Sequence, residues 1–228
     1  MALYLGSDKI KRTFIIGSSG SSGDIDALIE GSLTEINSNA ATVRPYAFYE
    51  YTTLESINLP HAVEIGSTAF RDNIALTTVN APKVETIGTN AFYYCTSLTN
   101  VELPSLKTSG MNAFQNCFSL ASITLPKLEK VNSYMFSGCS ELTRVDLHIA
   151  LDIRSGAFSG CNKLETVILR SYPFVSLLEN SNAFTNTPIA SGTGYIYVPK
   201  AMVDSYKTGN VWSTYANQIR AIEDYPEI

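Results

Sequence analysis

Apolar residues return along the chain on a fixed step. Leu54, Leu76, Leu98, Leu120, Leu142 and Leu164 are each followed three positions later by Ile57, Val79, Val101, Ile123, Val145 or Val167. Two residues further on stand Leu59, Ala81, Leu103, Leu125, Leu147 and Leu169, with Pro60, Pro82, Pro104 and Pro126 directly behind the first four. The step Ala-Phe recurs at Phe48, Phe70, Phe92, Phe114, Phe158 and Phe184, and as Met-Phe at Phe136, with spacings of 22 residues and then 26. A fixed period of this length is the mark of stacked structural units.

Within a unit such as Leu98-Thr99-Asn100-Val101-Glu102-Leu103-Pro104, apolar and polar positions alternate as in a half-buried strand. The proline ends the strand because it cannot donate to a ladder. A second apolar beat at Val43, Ile65, Ile87, Val131 and Ile153 precedes Gly66, Gly88, Gly110 and Asn132. Gly and Asn tolerate positive φ, so this is read as a tight corner. The Phe then enters the interior from the opposite wall, where a single coil cannot cover it. Stacking buries it, and at about 4.8 Å per strand seven coils give a core about 30 Å long. The pattern predicts an α/β repeat solenoid, a right-handed superhelix that is mainly β with short turns, over residues 24–190.

A solenoid needs closed ends. Tyr195-Ile196-Tyr197-Val198-Pro199 reads as a final strand after the four-residue insertion around Ser171 to Phe174. Lys200 to Lys207 and Val211 to Ile222 have helical spacing, with Trp212, Tyr215, Ile219 and Ile222 on one face. Residues 191–228 are therefore expected to form a strand and helical cap with Trp212 in its core. At the other end, residues 1–23 read as a hairpin, Ala2–Leu5 with Ile10–Ile16, followed by the flexible linker Gly17–Gly23. Asp24 to Glu30 reads as a helical turn before a first, irregular coil in which Leu33 and Ile36 sit one residue off register.

Composition changes this picture little. Forty-five per cent of the 228 residues are hydrophobic, too many for a disordered chain, and the net charge of −5 gives no general attraction to nucleic acid. No apolar stretch reaches the roughly 18 to 20 residues of a membrane span, and Met1 to Leu5 lacks the basic and long apolar regions of a signal peptide. The expectation is a soluble chain with no membrane insertion and no visible export route. Seven of the ten Phe, all four Cys and four of the nine Pro fall on fixed repeat positions.

The Cys column offers the first candidate chemistry. Cys95, Cys117, Cys139 and Cys161 lie three residues after the repeat Phe, with Asn73 and Thr187 in the same slot of other coils. Neighbours one coil apart point the same way, whereas disulfides and tetrahedral metal sites need converging side chains. A buried ladder bonded to backbone is expected, with Cys and Asn interchangeable. Arg144, Asp146 and His148 alternate on one strand face and are expected to be a solvated triplet, since no nucleophile is placed beside them. No catalytic motif or phosphate loop occurs, and a polysaccharide-active enzyme would need an acidic pair that the sequence does not place. The expectation is a non-enzymatic protein without cofactor or metal.

What remains is surface. The outward strand positions, from Ser56 and Asn58 to Thr166 and Ile168, form a flat and nearly neutral polar face. Aromatic residues gather instead around the Phe turns of the early coils: Tyr46, Tyr49, Tyr51, Tyr93 and Tyr94, with Arg71 between Tyr49 and Tyr93. Exposed tyrosines beside a cation suit contact with a protein or glycan.

The unit C-x-x-L-x-x-I/V-x-L-P-x-(x)-V-x-x-I-G-x-x-A-F-x-x-C, as from Cys95 to Cys117, closely resembles the BspA-type leucine-rich repeat family of bacterial surface proteins, over about residues 33 to 190. The ending Tyr195 to Pro199 with the Trp212 segment is similar to that family's C-terminal part. The resemblance implies a leucine-rich-repeat fold and an adhesion or interaction module that engages host matrix proteins, other cells or glycans from an extracellular or cell-surface position. The opening Ala-Leu-Tyr-Leu-Gly-Ser-Asp-Lys is similar to openings of phage and prophage structural proteins, which implies a second reading: a tail-associated virion component with the hairpin docked to the particle.

Overall fold

The computed structural model describes residues 14–15, 24–25, 34–171, 176–177, 182–209 and 211–228. Its body is a stack of coils in which each turn of chain lays one strand on each of two walls. The first wall holds the alternating segments, paired in parallel at a shift of one repeat: Ile57 faces Val79, Val79 faces Val101, Ile123 faces Val145, and Val145 faces Val167. The second wall holds two-residue strands ending in Val43, Ile65, Ile87, Ser109, Val131, Ile153 and Leu177, also parallel. Ile36 pairs with Ile57 in the same wall, so the residue missing from the first coil is absorbed outside the strand.

The Phe turns close the third side. Phe48, Phe70, Phe92, Phe114 and Phe136 each donate a backbone N–H to the residue before the Phe of the following coil, at 2.8–2.9 Å. Phe158 reaches Ala183 in the same way across the four-residue insertion. The seven rings are fully buried and form one column, with centroids 5.2 to 5.6 Å apart and planes within 3° to 8° of parallel. Backbone spacing sets this distance, so the rings stack offset with no freedom to tilt into edge-to-face pairs.

The corner glycines have a different cause from the expected one. Gly66, Gly88 and Gly110 do not have positive φ; a Cβ on them would lie 2.2 to 2.4 Å from backbone nitrogen of the coil before. Close approach of successive coils is what excludes a side chain there. The left-handed residues come two and six positions later. They are Tyr46, Thr68, Asn90, Asn112, Tyr134 and Gly156 on one side of the Phe, and Glu50, Asp72, Tyr94, Asn116, Gly138, Gly160 and Asn186 on the other.

The C-terminal end departs further from expectation. Tyr195–Val198 is a strand that pairs with Thr166–Ile168, but it is not the last one. Lys200–Met202 and Val211–Gln218 are 3-10 helices flanking the α-helix Val203–Thr208, and Ile219–Ala221 then leaves the helical path to pair in parallel with Ile196–Val198. The wall is thus extended by one short strand, and Ile219, spaced for a helix face, is buried by sheet pairing. Trp212 lies in the cap core as expected, against Phe184 at 6.2 Å and Tyr206 at 5.2 Å. At the N-terminal end Asp24–Ile25, expected as helical, is a strand antiparallel to Phe14–Ile15. The Ala2–Leu5 arm of the expected hairpin and the linker Gly17–Gly23 lie outside the described residues.

Candidate functional site

The tyrosines and Arg71 sit on the turns that carry the Phe column, because the position after the Phe points outward in every coil. In three consecutive coils that position is Tyr49, Arg71 and Tyr93. The Arg71 guanidinium carbon lies 4.8 Å from the Tyr93 ring centroid and 5.8 Å from that of Tyr49, a cation held between two aromatic faces. Its Nε donates to Asp72 Oδ2 at 3.0 Å. Tyr46 stands edge-on to Tyr49 at 6.3 Å, and Tyr94 lies beside Tyr93 at 6.2 Å. Glu50 hydrogen-bonds the Tyr49 hydroxyl, which, with partial burial and the charges of Glu50 and Asp72, pushes that phenol's pKa above its ordinary value. The phenol stays neutral at physiological pH.

Two adjustments follow from the structure. Tyr51 occupies the slot of the Cys column, half-buried, its ring edge-on to Phe48 at 5.9 Å. It covers the first ring of the Phe column and stands apart from the exposed group. Phe118, which the sequence reading passed over, joins that group: it is 38% exposed and edge-on to Tyr94 at 5.7 Å. The signal was present, since the same position holds Thr52, Ile74, Thr96 and Ser140 in other coils and Phe118 is the one aromatic among them.

Tyr46 and Tyr94 share a further property. Both have φ of 59°, in the left-handed region that costs an L-residue about 1 to 2 kcal/mol. The equivalent slots of other coils mostly carry Asn or Gly, which pay little for that conformation. Local strain is thus accepted to hold these two rings on the surface, 61% and 39% accessible, and likewise Tyr134, at φ 57° and 40% accessible on a later coil.

The Cys column is a hydrogen-bond ladder. Cys95, Cys117, Cys139 and Cys161 donate Sγ–H to the carbonyls of Phe70, Phe92, Phe114 and Phe136 at 3.1–3.2 Å, and Asn73 donates Nδ2 to Phe48 in the same way at 2.7 Å. Each side chain satisfies a buried carbonyl of the coil before it. Desolvation pushes every thiol upward, Cys161 to about 12 and the others further or well above the ordinary value. The native protein should therefore release no chromophore from a disulfide reagent such as dithionitrobenzoate at pH 8 and four equivalents after denaturation. Reaction of any thiol in the folded state would contradict its burial.

The Arg144, Asp146, His148 triplet is not solvated as expected. Asp146 is only 7% exposed and accepts both Nε and Nη2 of Arg170 at 2.9 Å, with Arg144 at 3.6 Å and His148 at 3.4 Å. The reason is the tail, whose Tyr225 packs edge-on against Tyr197 at 5.2 Å while the Ile228 main-chain oxygen accepts from Arg144 and Arg170. One carboxylate thus gathers three basic side chains under a folded-back segment, as a structural clamp does. Among the described residues, no group of three or more His, Cys, Asp or Glu is placed to hold a metal ion, and no helix is long and apolar enough to cross a membrane.

A model of the BspA type leucine rich repeat region matches six copies, over residues 29–96 and 63–190. No curated protein matches the chain. Among solved structures, a leucine-rich repeat protein of T. pallidum is 25% identical, with 78% of this chain and 82% of that chain covered and a TM-score of 0.57. A leucine-rich repeat protein of Bacteroides ovatus is 21% identical with a TM-score of 0.56, covering 88% of this chain and 58% of the other. A leucine-rich cell surface protein of Faecalibacterium prausnitzii is 22% identical, with 75% and 53% covered and a TM-score of 0.50. The chain therefore spans little more than half of these last two, and the shared feature is the fold. The 22-residue coil, the Phe column and the six matched copies together make this protein a member of the BspA-type leucine-rich repeat family.

Proposed function

We propose that this protein is a non-enzymatic binding module that engages a protein partner at a bacterial surface through Tyr46, Tyr49, Arg71, Tyr93, Tyr94 and Phe118. The observation that carries this reading is the placement of Tyr46 and Tyr94 at left-handed positions. A strained backbone that presents an exposed aromatic ring is hard to account for by folding alone. Tyr and Arg are also the residue types that dominate binding hot spots. Both faces of the Arg71 guanidinium are covered by rings, which leaves it pre-organised and lowers the entropy lost on contact. A protein is favoured over a glycan because the aromatic group spans four coils, at about 4.8 Å each, and presents edges and a salt-bridged cation where a sugar ring would need an open aromatic face. One solved relative, from Faecalibacterium prausnitzii, is a leucine-rich cell surface protein, which supports a surface setting.

The strain gives the reading a specific test. Tyr94→Asn should raise stability by about 1 kcal/mol, or roughly 2 to 4 °C in Tm, while weakening binding. Binding is read on a panel of extracellular matrix proteins and a glycan array, with the triple change Tyr49→Ser, Arg71→Ser and Tyr93→Ser alongside. Loss of the protein hits in both variants is expected. Unchanged binding by the triple variant would remove this surface from consideration, and hits confined to glycans would overturn the choice of partner. The tail-associated virion reading differs in placing attachment at the N-terminal segment, and a tail-assembly gene neighbourhood would favour it.

A further inference from the structure

The solenoid is not uniform along its length. Both walls break at the same boundary: the first is four strands ending at Asn100–Glu102 and then five beginning at Ser122–Leu125, and the second ends at Thr108–Ser109 and resumes at Lys130–Val131. Elsewhere the backbone bonds repeat faithfully. Leu59 and Ala81 donate to the coil that follows at 2.8 and 3.1 Å, Thr99 and Thr143 to the coil before at 3.0 and 2.9 Å, and Gly88 and Gly110 to the coil before at 2.8 Å. Among the described residues, the corresponding N–H groups of Leu103, Ala121 and Asn132 make no such backbone bond, and on the second wall Glu129 still donates to the Lys107 carbonyl at 3.1 Å. Val101 at the boundary is half-buried, while Ile57, Val79, Val145 and Val167 in the same column are buried.

Four columns change at this boundary. Thr77, Thr99 and Thr143 donate a hydroxyl to the carbonyl one coil back, and Ala121, in the same slot, has none to give. The buried Ile or Val of the second wall becomes Ser109, and the Ala before the Phe becomes Met135, whose Sδ takes the Ser109 hydroxyl at 3.2 Å. A large side chain thus fills from one coil the space that a small one leaves in its neighbour. The corner glycine becomes Asn132, whose Nδ2 reaches the Ser109 carbonyl at 2.6 Å in place of the lost backbone bond.

The Phe side of the same boundary stays closed. Asn112, Phe114 and Asn116 donate to Ser133, Met135 and Ser137 at 3.1, 2.9 and 2.8 Å, the Phe114 and Phe136 rings stack at 5.6 Å, and Cys139 bonds to Phe114. We propose that this boundary is a built-in joint: the solenoid consists of two blocks, the described residues of 34–119 and those of 120–228, that loosen along their strand walls and pivot on the Phe turn. In a repeat array each interface contributes separately, so the interface with fewest bonds opens first and the two blocks exchange with solvent as separate units. The group of Tyr46, Tyr49, Arg71, Tyr93 and Tyr94 lies on the first block and the tail clamp on the second, so the joint sets the angle between them. The proposal holds whether or not the tyrosine surface binds a partner.

Hydrogen exchange read by mass spectrometry on the full chain tests it. The amides of Leu103, Ala121 and Asn132 should exchange on the order of tenfold faster than Ala81, Thr143 and Gly88. Ala121→Thr, a surface change that adds a hydroxyl able to reach the Thr99 carbonyl, should slow exchange at the boundary and nowhere else. Restoring the columns with Ser109→Ile and Met135→Ala together should do so more strongly. Equal protection at the boundary and in flanking coils would overturn the joint, and fast exchange that neither variant slows would overturn its assignment to these columns.

Discussion

Raising the pH from 8 to 9.5 is expected to lower the stability of the protein by about 5 kcal/mol, a loss comparable to the whole stability of many domains. The four column thiols are the cause. In the unfolded chain each ionises near pH 8.5, and in the folded chain each stays protonated because desolvation raises its pKa, to about 12 for Cys161, further for Cys95, and well above the ordinary value for Cys117 and Cys139. Above pH 8.5 the unfolded state loses protons that the folded state keeps, so stability is fully present below that pH and falls as pH rises. Each thiol contributes about 1.4 kcal/mol per pH unit in that range. Urea unfolding at pH 8.0, 8.5, 9.0 and 9.5 under a reductant measures the slope, and Cys117→Ser should remove about a quarter of it while its hydroxyl keeps a donor for the Phe92 carbonyl. A flat profile would mean that the thiols reach solvent in the folded state.

Phe114→Ala is expected to destabilise the protein by about 3 to 5 kcal/mol. The Phe114 ring is fully buried between Phe92 at 5.3 Å and Phe136 at 5.6 Å, and backbone bonds hold the coils on either side at fixed spacing, so the cavity has little room to collapse. Phe118→Ala, four residues away but on the surface, should change stability by less than about 1 kcal/mol. The pair measured by chemical denaturation separates burial from aromatic content: a similar small loss at both positions would mean that the column is not a packed interior.

The coil was legible in the sequence because identical demands recur in every repeat. An Ala-Phe step at constant spacing, an apolar alternation ended by proline and a Cys or Asn slot each have one physical solution when multiplied along a stack. What failed were signals with two solutions. Glycine at position 66, 88 or 110 reports either positive φ or close approach, and the second applies here because Pro45, Ser67 and Thr89 press against them. Ile219 and Ile222 have a spacing compatible with one helix face, yet Ile219 pairs with Ile196, a contact set by the end of the sheet. Asp146 lies on an alternating strand face that predicts solvation, and nothing local reveals that the tail bearing Tyr225 and Ile228 covers it. In the candidate site, Tyr49, Arg71 and Tyr93 were recognisable from their shared slot, whereas Phe118 differs by three positions and meets Tyr94 only across the coil interface. Tyr51 was grouped by residue type when its slot, that of the Cys column, already indicated an inward direction.

The ladder of Asn73, Cys95, Cys117, Cys139 and Cys161 also has a direction. Every bond runs from a later coil to a carbonyl of the one before, so a coil is completed only by the chain that follows it. On the ribosome, at about 5 to 20 residues per second, a new coil emerges roughly every 1 to 4 seconds. Hairpin-scale pairing takes microseconds, so each coil can dock long before its successor appears. Synthesis then exposes about one uncovered Phe face at a time, and the growing end, closed finally by Trp212 and Tyr206, remains the sole template on which the next coil can condense.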